Sequence, residues 1–229
     1  TSVKYLKRKE RVILTGNPVR SAVLGADKES GRHHLDLDLN STVLLVFGGS
    51  RGARHLNDAI VRIWPALAEE PELQVVHVVG AKDAASMRLR MSQALGDPDS
   101  GYRMYEYLSE MGQALAAADI VVARAGATSI AEITAIGRAS VLVPYPFATD
   151  DHQTLNARAV AASGAGIVVP DGELDGDAFE SVVLGLVRDR AKRETMAAAS
   201  AALGRPDAGS RVAEMIRHVA VSHADKEHK

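Results

Sequence analysis

Short apolar runs alternate with amphipathic stretches along most of the chain. "TVLLVF" (42–47), "LQVVHVV" (73–79), "YRMYEY" (102–107), "DIVVAR" (119–124), "SVLVPY" (140–145) and "GIVVP" (166–170) read as β-strands. Most are apolar at nearly every position, which predicts strands buried on both faces. Between them lie segments of helical period. In 53–68, Leu56, Ile60, Ile63 and Leu67 share one face. Segments 83–95, 109–118, 129–137 and 152–163 follow, and 174–221 reads as helices with a break near "GRPDAGS". This alternation predicts an α/β fold with a Rossmann-like, doubly wound parallel sheet. Right-handed crossovers then bring all strand C-termini to one edge, where such sheets bind ligands near the topological switch point.

Residues 1–40 depart from the pattern. They are polar, show no sheet logic and read as a lead-in, with "HHLDLDLN" ending just before the first strand. The expected division is a linker-like lead-in over 1–22, one domain over 23–222 and a frayed polar tail over 223–229. No internal repeat is visible.

Composition narrows the function classes. The chain has 229 residues, 46% hydrophobic and 24% charged, as a soluble globular protein does. A net charge of −2 argues against nucleic acid as the main partner, since a phosphate-tracking surface carries a basic excess. Cysteine is absent, so disulfides, zinc thiolates and cysteine nucleophiles are excluded; this suits a reducing cytoplasm. No apolar run approaches the roughly 18–20 residues of a membrane helix, and no signal peptide is visible. The basic opening "TSVKYLKRKER" reads as a solvated linker in preference to an anionic-membrane contact.

Three strand-to-helix turns carry candidate chemistry. In "VFGGSRGARHLN" (46–57), Gly48, Gly49 and Gly52 allow close backbone approach before a helix N-terminus, which suits phosphate. It is neither a Walker A loop nor a full G-x-G-x-x-G, and a structural turn accounts for it equally well. In "ARAGATSIAE" (123–132), Ser129 and Glu132 fit a capping box, with Ser129 at the N-cap. Arg124 ends a buried strand, so its guanidinium needs a carboxylate or an anionic ligand. In "PYPFATDDHQTLNA" (144–157), Asp150, Asp151, His152 and Gln153 cluster at a helix start. The aspartates fit capping, while His152 and Gln153 offer donors and acceptors to hydroxyls. "TGNPVR" (15–20) is a rigid turn before Arg20. The other histidines, including His55 on a helix surface and His77 in a strand, read as structural, and no metal site is suggested.

Taken in order, "TGNPVR", "GGSRGA", "YLSEM", "ARAGATSIAEI" and "DDHQTLNA" resemble the C-terminal half of the MurG family, the undecaprenyldiphospho-muramoylpentapeptide β-N-acetylglucosaminyltransferases. The resemblance covers most of residues 12–220. It implies the C-terminal domain of a GT-B glycosyltransferase, which binds UDP-N-acetylglucosamine. Ser50 would meet the nucleotide phosphates. The Leu108 backbone would pair with the uracil edge, with Arg20 nearby. Arg124 and the backbone of Ala127, Thr128 and Ser129 would line the diphosphate region. Glu132 would bind the ribose hydroxyls, and His152 with Gln153 the sugar hydroxyls. Arg51 replaces a common glutamine, and His152 stands where some members have another.

The resemblance further implies direct displacement. The C4 hydroxyl of the lipid I muramoyl sugar attacks C1 of the donor with inversion, forming lipid II for peptidoglycan and releasing UDP. No cofactor or metal is expected. The general base and the lipid I contacts would lie in an N-terminal domain that these residues do not match, so donor binding without transfer is expected of the chain alone. The full enzyme would be cytoplasmic and peripheral on the inner membrane. Two alternatives stay open: a nucleotide-sugar-binding module without acceptor chemistry, and an NAD(P)-dependent short-chain dehydrogenase. The dehydrogenase is disfavoured because Tyr5-x-x-x-Lys9 precedes the glycine loop.

Overall fold

A computed structural model describes residues 12–49, 53–94 and 101–227. Six strands form one sheet: β1 (Thr42–Phe47), β2 (Leu73–Val78), β3 (Tyr102–Tyr105), β4 (Ile120–Arg124), β5 (Ala139–Val143) and β6 (Gly166–Val168). Their order is β3-β2-β1-β4-β5-β6 and every pairing is parallel. The chain winds outward from β1 to β3, crosses back, and winds the other way from β4. The reversal falls between β1 and β4, so the turns leaving those two strands flank the switch point.

Successive strand residues feed opposite cores. Leu44 and Val46 pack with Leu56, Ile60 and Ile63 of α3 (Arg54–Ala68), Met87 and Met91 of α4 (Ala84–Ala94), and Phe179 and Val183 of α8 (Asp177–Arg188). Val43, Leu45 and Phe47 face the other way. They join Leu115 of α5 (Met111–Ala117), Ile133 of α6 (Ala127–Ile136) and Val160 of α7 (His152–Ala162). Two covered faces explain why the strands are apolar throughout rather than at alternate positions. The C-terminal part adds α9 (Arg190–Leu203) and α10 (Ala208–Glu227), divided at the expected "GRPD" and also at Asp189.

The stretch read as a lead-in holds two helices, α1 (Ser21–Leu24) and α2 (Lys28–His34). Val23, Leu35 and Leu37 enter the second core. The signal is hidden because a short helix needs few apolar residues when its backbone packs directly. A Cβ on Gly31 would lie 2.4 Å from the Gln113 carbonyl oxygen of α5, and one on Gly112 2.5 Å from that of Ala22.

At the sheet edge opposite the strand C-termini, helix C-termini leave carbonyls without intrahelical donors. Arginines fill them. Arg138 donates to Leu115 and Ala116, and Arg193 to Leu186 and Val187. Buried Arg32 donates to Ala117 and pairs with Asp119 at 2.7 Å. These cations therefore answer to the fold.

The close packing of α2 on α5 is testable. Gly31→Ala should destabilise by about 1–3 kcal/mol, because overpacking outweighs the helical gain. Gly185→Ala in α8, where nothing lies within 4 Å, should stabilise by about 0.5–1 kcal/mol. Urea midpoints measure both. Equal gains would show that α2 does not dock on α5.

Candidate functional site

The turns at the switch point enclose a cavity of about 360 Å³. Gly48 and Gly49 form one wall, at the end of β1. Gly48 admits no side chain, since a Cβ there would stand 2.0 Å from that of Ala53. Ser50, Arg51 and Gly52 lie outside the described residues.

The second wall is the start of α6, where Gly126, Ala127, Thr128 and Ser129 line the cavity. Gly126 is the N-cap, and no side chain among the described residues bonds the free N–H groups there. The first intrahelical bond runs from Ile130 N–H to the Gly126 carbonyl at 3.0 Å. The amides of residues 127–129 thus lack intrahelical acceptors, and the dipole's positive end faces the cavity.

This geometry corrects the capping-box expectation. The helix begins two residues before the expected 129, so Ser129 is its third residue and not the cap. Glu132 is a full turn further in. It is buried, and its Oε1 accepts from Arg20 Nε at 3.1 Å, with Arg20 Nη2 at 3.0 Å. The Ser-x-x-Glu spacing predicts a cap at Ser129. The helix starts earlier because small Gly126 and Ala127 let it begin directly after the strand.

Arg124 ends β4 and is 7% exposed. Its Nη1 lies 3.3 Å from the Pro144 carbonyl and 2.5 Å from Asp171 Oδ1. The latter contact is an ion pair without hydrogen-bond alignment, as Oδ1 has no properly directed donor among the described residues. The Nε–H is buried without a partner there, and the guanidinium sits 5.6 Å from the Tyr145 ring centre. So the charge is held, while donor capacity remains at the cavity wall.

Asp171 opens a 3-10 turn just after β6. Its Oδ2 lies 2.8 Å from His55 Nδ1, and His55 Nε2 is 3.2 Å from Asp175. Burial pulls the Asp171 carboxyl upward, but the hydrogen bond to His55 and the positive charge of Arg124 outweigh it and leave it below the usual range. The bond to Asp171 raises His55 against its partial burial. His77, by contrast, is pushed down to about 3 by burial and stays a neutral core residue.

The loop after β5 closes the cavity. Asp150 and Asp151 both have φ of 51°, a conformation costly outside glycine though tolerated by aspartate. The Tyr145 N–H donates to Gln153 Oε1 at 3.0 Å, which leaves the Gln153 NH₂ for a ligand. His152 Nδ1 is 2.6 Å from the Thr149 carbonyl. A carbonyl only accepts, so Nδ1 carries the proton, and in the neutral ring Nε2 is an acceptor.

The cavity therefore gathers Arg124, Ala127, Thr128, Ser129, His152 and Gln153. Arg20 and Glu132 pair beside it, one helical turn along α6, and Asn17 Nδ2 reaches Thr128 Oγ1 at 3.4 Å. Leu108 follows β3 and is buried in the second core. Tyr145, Asp171 and His55 carry no site signal in the sequence pattern. Asp171 has one legible feature, its place directly after a strand at the binding edge.

The sequence matches the glycosyltransferase family 28 C-terminal domain over residues 43–212. The chain belongs to this family. Among family 28 relatives, it is 40% identical over 218 residues to the UDP-N-acetylglucosamine–N-acetylmuramyl-(pentapeptide) pyrophosphoryl-undecaprenol N-acetylglucosamine transferase of Desulforudis audaxviator, covering 94% of this chain and 58% of the relative. Against the Moorella thermoacetica protein of the same name, identity is 42% over 211 residues, covering 91% and 57%. The chain thus spans just over half the length of these curated relatives. The Acinetobacter baumannii MurG crystal structure superposes with a TM-score of 0.71 at 25% identity, covering 87% of this chain and 55% of that one. A Staphylococcus aureus MnaA–UDP structure shares the fold at a TM-score of 0.68 and 13% identity, covering 95% and 57%. Family 28 membership sets aside the short-chain dehydrogenase alternative.

The ion pair at the cavity wall should be measurable. In a double-mutant cycle of Arg124→Met and Asp171→Asn, each single change should destabilise. The pair should couple by about 1–3 kcal/mol, because each leaves the other's charge uncompensated. Additivity in denaturant titrations would show that the two charges do not interact.

Proposed function

We propose that the chain is the UDP-N-acetylglucosamine-binding domain of an inverting hexosyltransferase. The full enzyme would transfer N-acetylglucosamine to the C4 hydroxyl of a lipid-linked muramoyl acceptor, giving lipid II for peptidoglycan. One observation carries the reading. A buried arginine with an unpaired Nε–H and an uncapped helix N-terminus line the same cavity. Both are built to meet an anion, and a diphosphate is the leaving group whose charge grows during transfer. The names of the curated relatives support the choice of donor.

On this reading, Arg124 and the amides of Ala127, Thr128 and Ser129 hold the diphosphate, together with Ser50, the next residue in the sequence after Gly49. His152 Nε2 and the Gln153 NH₂ take the sugar hydroxyls. Glu132 receives the ribose through Oε2, since Arg20 occupies only Oε1. The Leu108 backbone meets the uracil, and Arg20 lies toward that end. The acceptor and the general base belong to the part of the relatives that this chain does not span. The full enzyme acts at the cytoplasmic face of the membrane as a peripheral protein. Among the described residues no helix is long and apolar enough to cross it.

Calorimetry should show UDP-N-acetylglucosamine binding that is unchanged by EDTA, because the helix dipole and Arg124 answer the diphosphate charge. Binding abolished by EDTA would contradict this account. Glu132→Gln should weaken UDP by about 5- to 30-fold, from about 1–2 kcal/mol lost when a charged acceptor becomes a neutral amide. Stability should change by less than about 1 kcal/mol, since the Arg20 partner is 60% exposed. Unchanged UDP affinity would remove Glu132 from the site.

A further inference from the structure

We propose that Asp171 is a positioning residue for Arg124, and that His55, bound to the same carboxylate, tunes donor affinity by gaining or losing its proton. This rests on the donor-site reading above. Four side chains form a line from the cavity to solvent: Arg124, Asp171, His55 and Asp175. Their side-chain exposures rise from 8% to 15%, 33% and 76%. The line joins β4, the turn after β6, and the first turn of α3. It therefore ties the binding edge to a group that exchanges protons with water.

Asp171 is the carboxylate that meets Arg124 among the described residues. The remaining contacts of that guanidinium are weak: carbonyls at 3.3 and 3.5 Å and the Tyr145 ring. Without Asp171 no described residue of opposite charge fixes its direction. The pairing uses Nη1 and leaves the buried Nε–H without a partner among the described residues. A diphosphate supplies better acceptors while Asp171 keeps the other side of the guanidinium in place.

His55 decides how much of the Asp171 charge the cavity feels. With His55 protonated, the four groups are neutral together. With His55 neutral, they carry one net negative charge beside a site that must take an anion. The bond to Asp171 raises His55, so its titration lies above its ordinary value of 6.5. The protonated fraction falls as pH rises through that raised value.

Acids and arginines surround His55. From α3, Arg54 pairs with Asp83, and Arg62 donates to the Leu174 and Gly176 carbonyls. From the turn come Asp171 and Asp175, with Glu173 between them in the chain and Asp177 opening α8. From β4 comes Arg124. His55 is the histidine among these groups.

The test is isothermal titration of UDP-N-acetylglucosamine into the protein at pH 6, 7 and 8. This donor is a diphosphate diester, so its own charge is constant over that range. Affinity should weaken by about 3- to 10-fold from pH 6 to 8, the effect of one charge at close range in a partly screened site. His55→Gln keeps a side chain able to hydrogen-bond but cannot be charged. It should give a flat profile, weaker than the wild type at pH 6. Asp171→Asn separates positioning from charge. If only charge mattered, losing a carboxylate beside an anion site would tighten binding. Positioning predicts binding about 3- to 10-fold weaker at pH 7, partly restored in Asp171→Glu. A flat wild-type profile, or a His55→Gln profile like the wild type, overturns the role of His55. Equal or tighter binding by Asp171→Asn overturns the role of Asp171. Wild-type protein that binds no donor at any pH overturns the donor-site reading itself, an outcome distinct from the others because no titration signal is seen at all.

Discussion

Parallel pairing constrains the whole molecule. Strands that all run one way require a crossover helix between each pair, and right-handed crossovers put every strand C-terminus on the same edge. The helices that follow must begin at that edge. Their N-termini, with unpaired N–H groups and positive dipole ends, collect there, and their C-termini collect at the other. The two edges then acquire opposite chemistry. Arg32, Arg138 and Arg193 satisfy carbonyls at one edge. At the other, the start of α6 keeps its donors free beside a cavity. The reversal of winding between β1 and β4 separates two turns and opens the space between them.

Within that frame, the difficult group is Arg124. A guanidinium at the end of a central strand is costly to bury without compensation. The fold compensates it partly, through Asp171 and the Tyr145 ring, and among the described residues leaves one N–H unmatched. Full compensation would stabilise the empty domain more but would leave less for an anion to gain. The strained backbone at Asp150 and Asp151 belongs to the same region. It turns the chain so that His152 and Gln153 both line the cavity, each anchored to the loop by one polar atom with another left free.

Much of the fold is legible in the sequence because both faces of each strand are covered. Continuous apolar runs between helix-period segments are the mark of a parallel sheet clad on both sides, and all six strands lie where those runs fall. The ends of elements are less legible. The pattern places the α6 start two residues late, because a good Ser-x-x-Glu cap outcompetes a glycine start that leaves no side-chain signature. Helices α1 and α2 escape the pattern because their docking depends on Gly31 and Gly112, where backbone meets backbone and hydrophobic period is uninformative. In the site, Arg124 stands out from burial alone, since a charge at a strand end demands a partner. Asp171 and His55 cannot be paired from the sequence, for they are 116 residues apart and meet only through the sheet order.

If the switch-point cavity holds the diphosphate of a nucleotide sugar at the α6 N-terminus, the amides there must feel the donor bind. Amide chemical-shift mapping of the ¹⁵N-labelled protein during titration with UDP-N-acetylglucosamine reads this residue by residue. The largest shifts should fall on Gly48, Gly49, Ala127, Thr128 and Ser129, with smaller ones at His152 and Gln153. Shifts concentrated at the opposite edge, around Thr42, Arg138 and Arg193, would contradict the assignment.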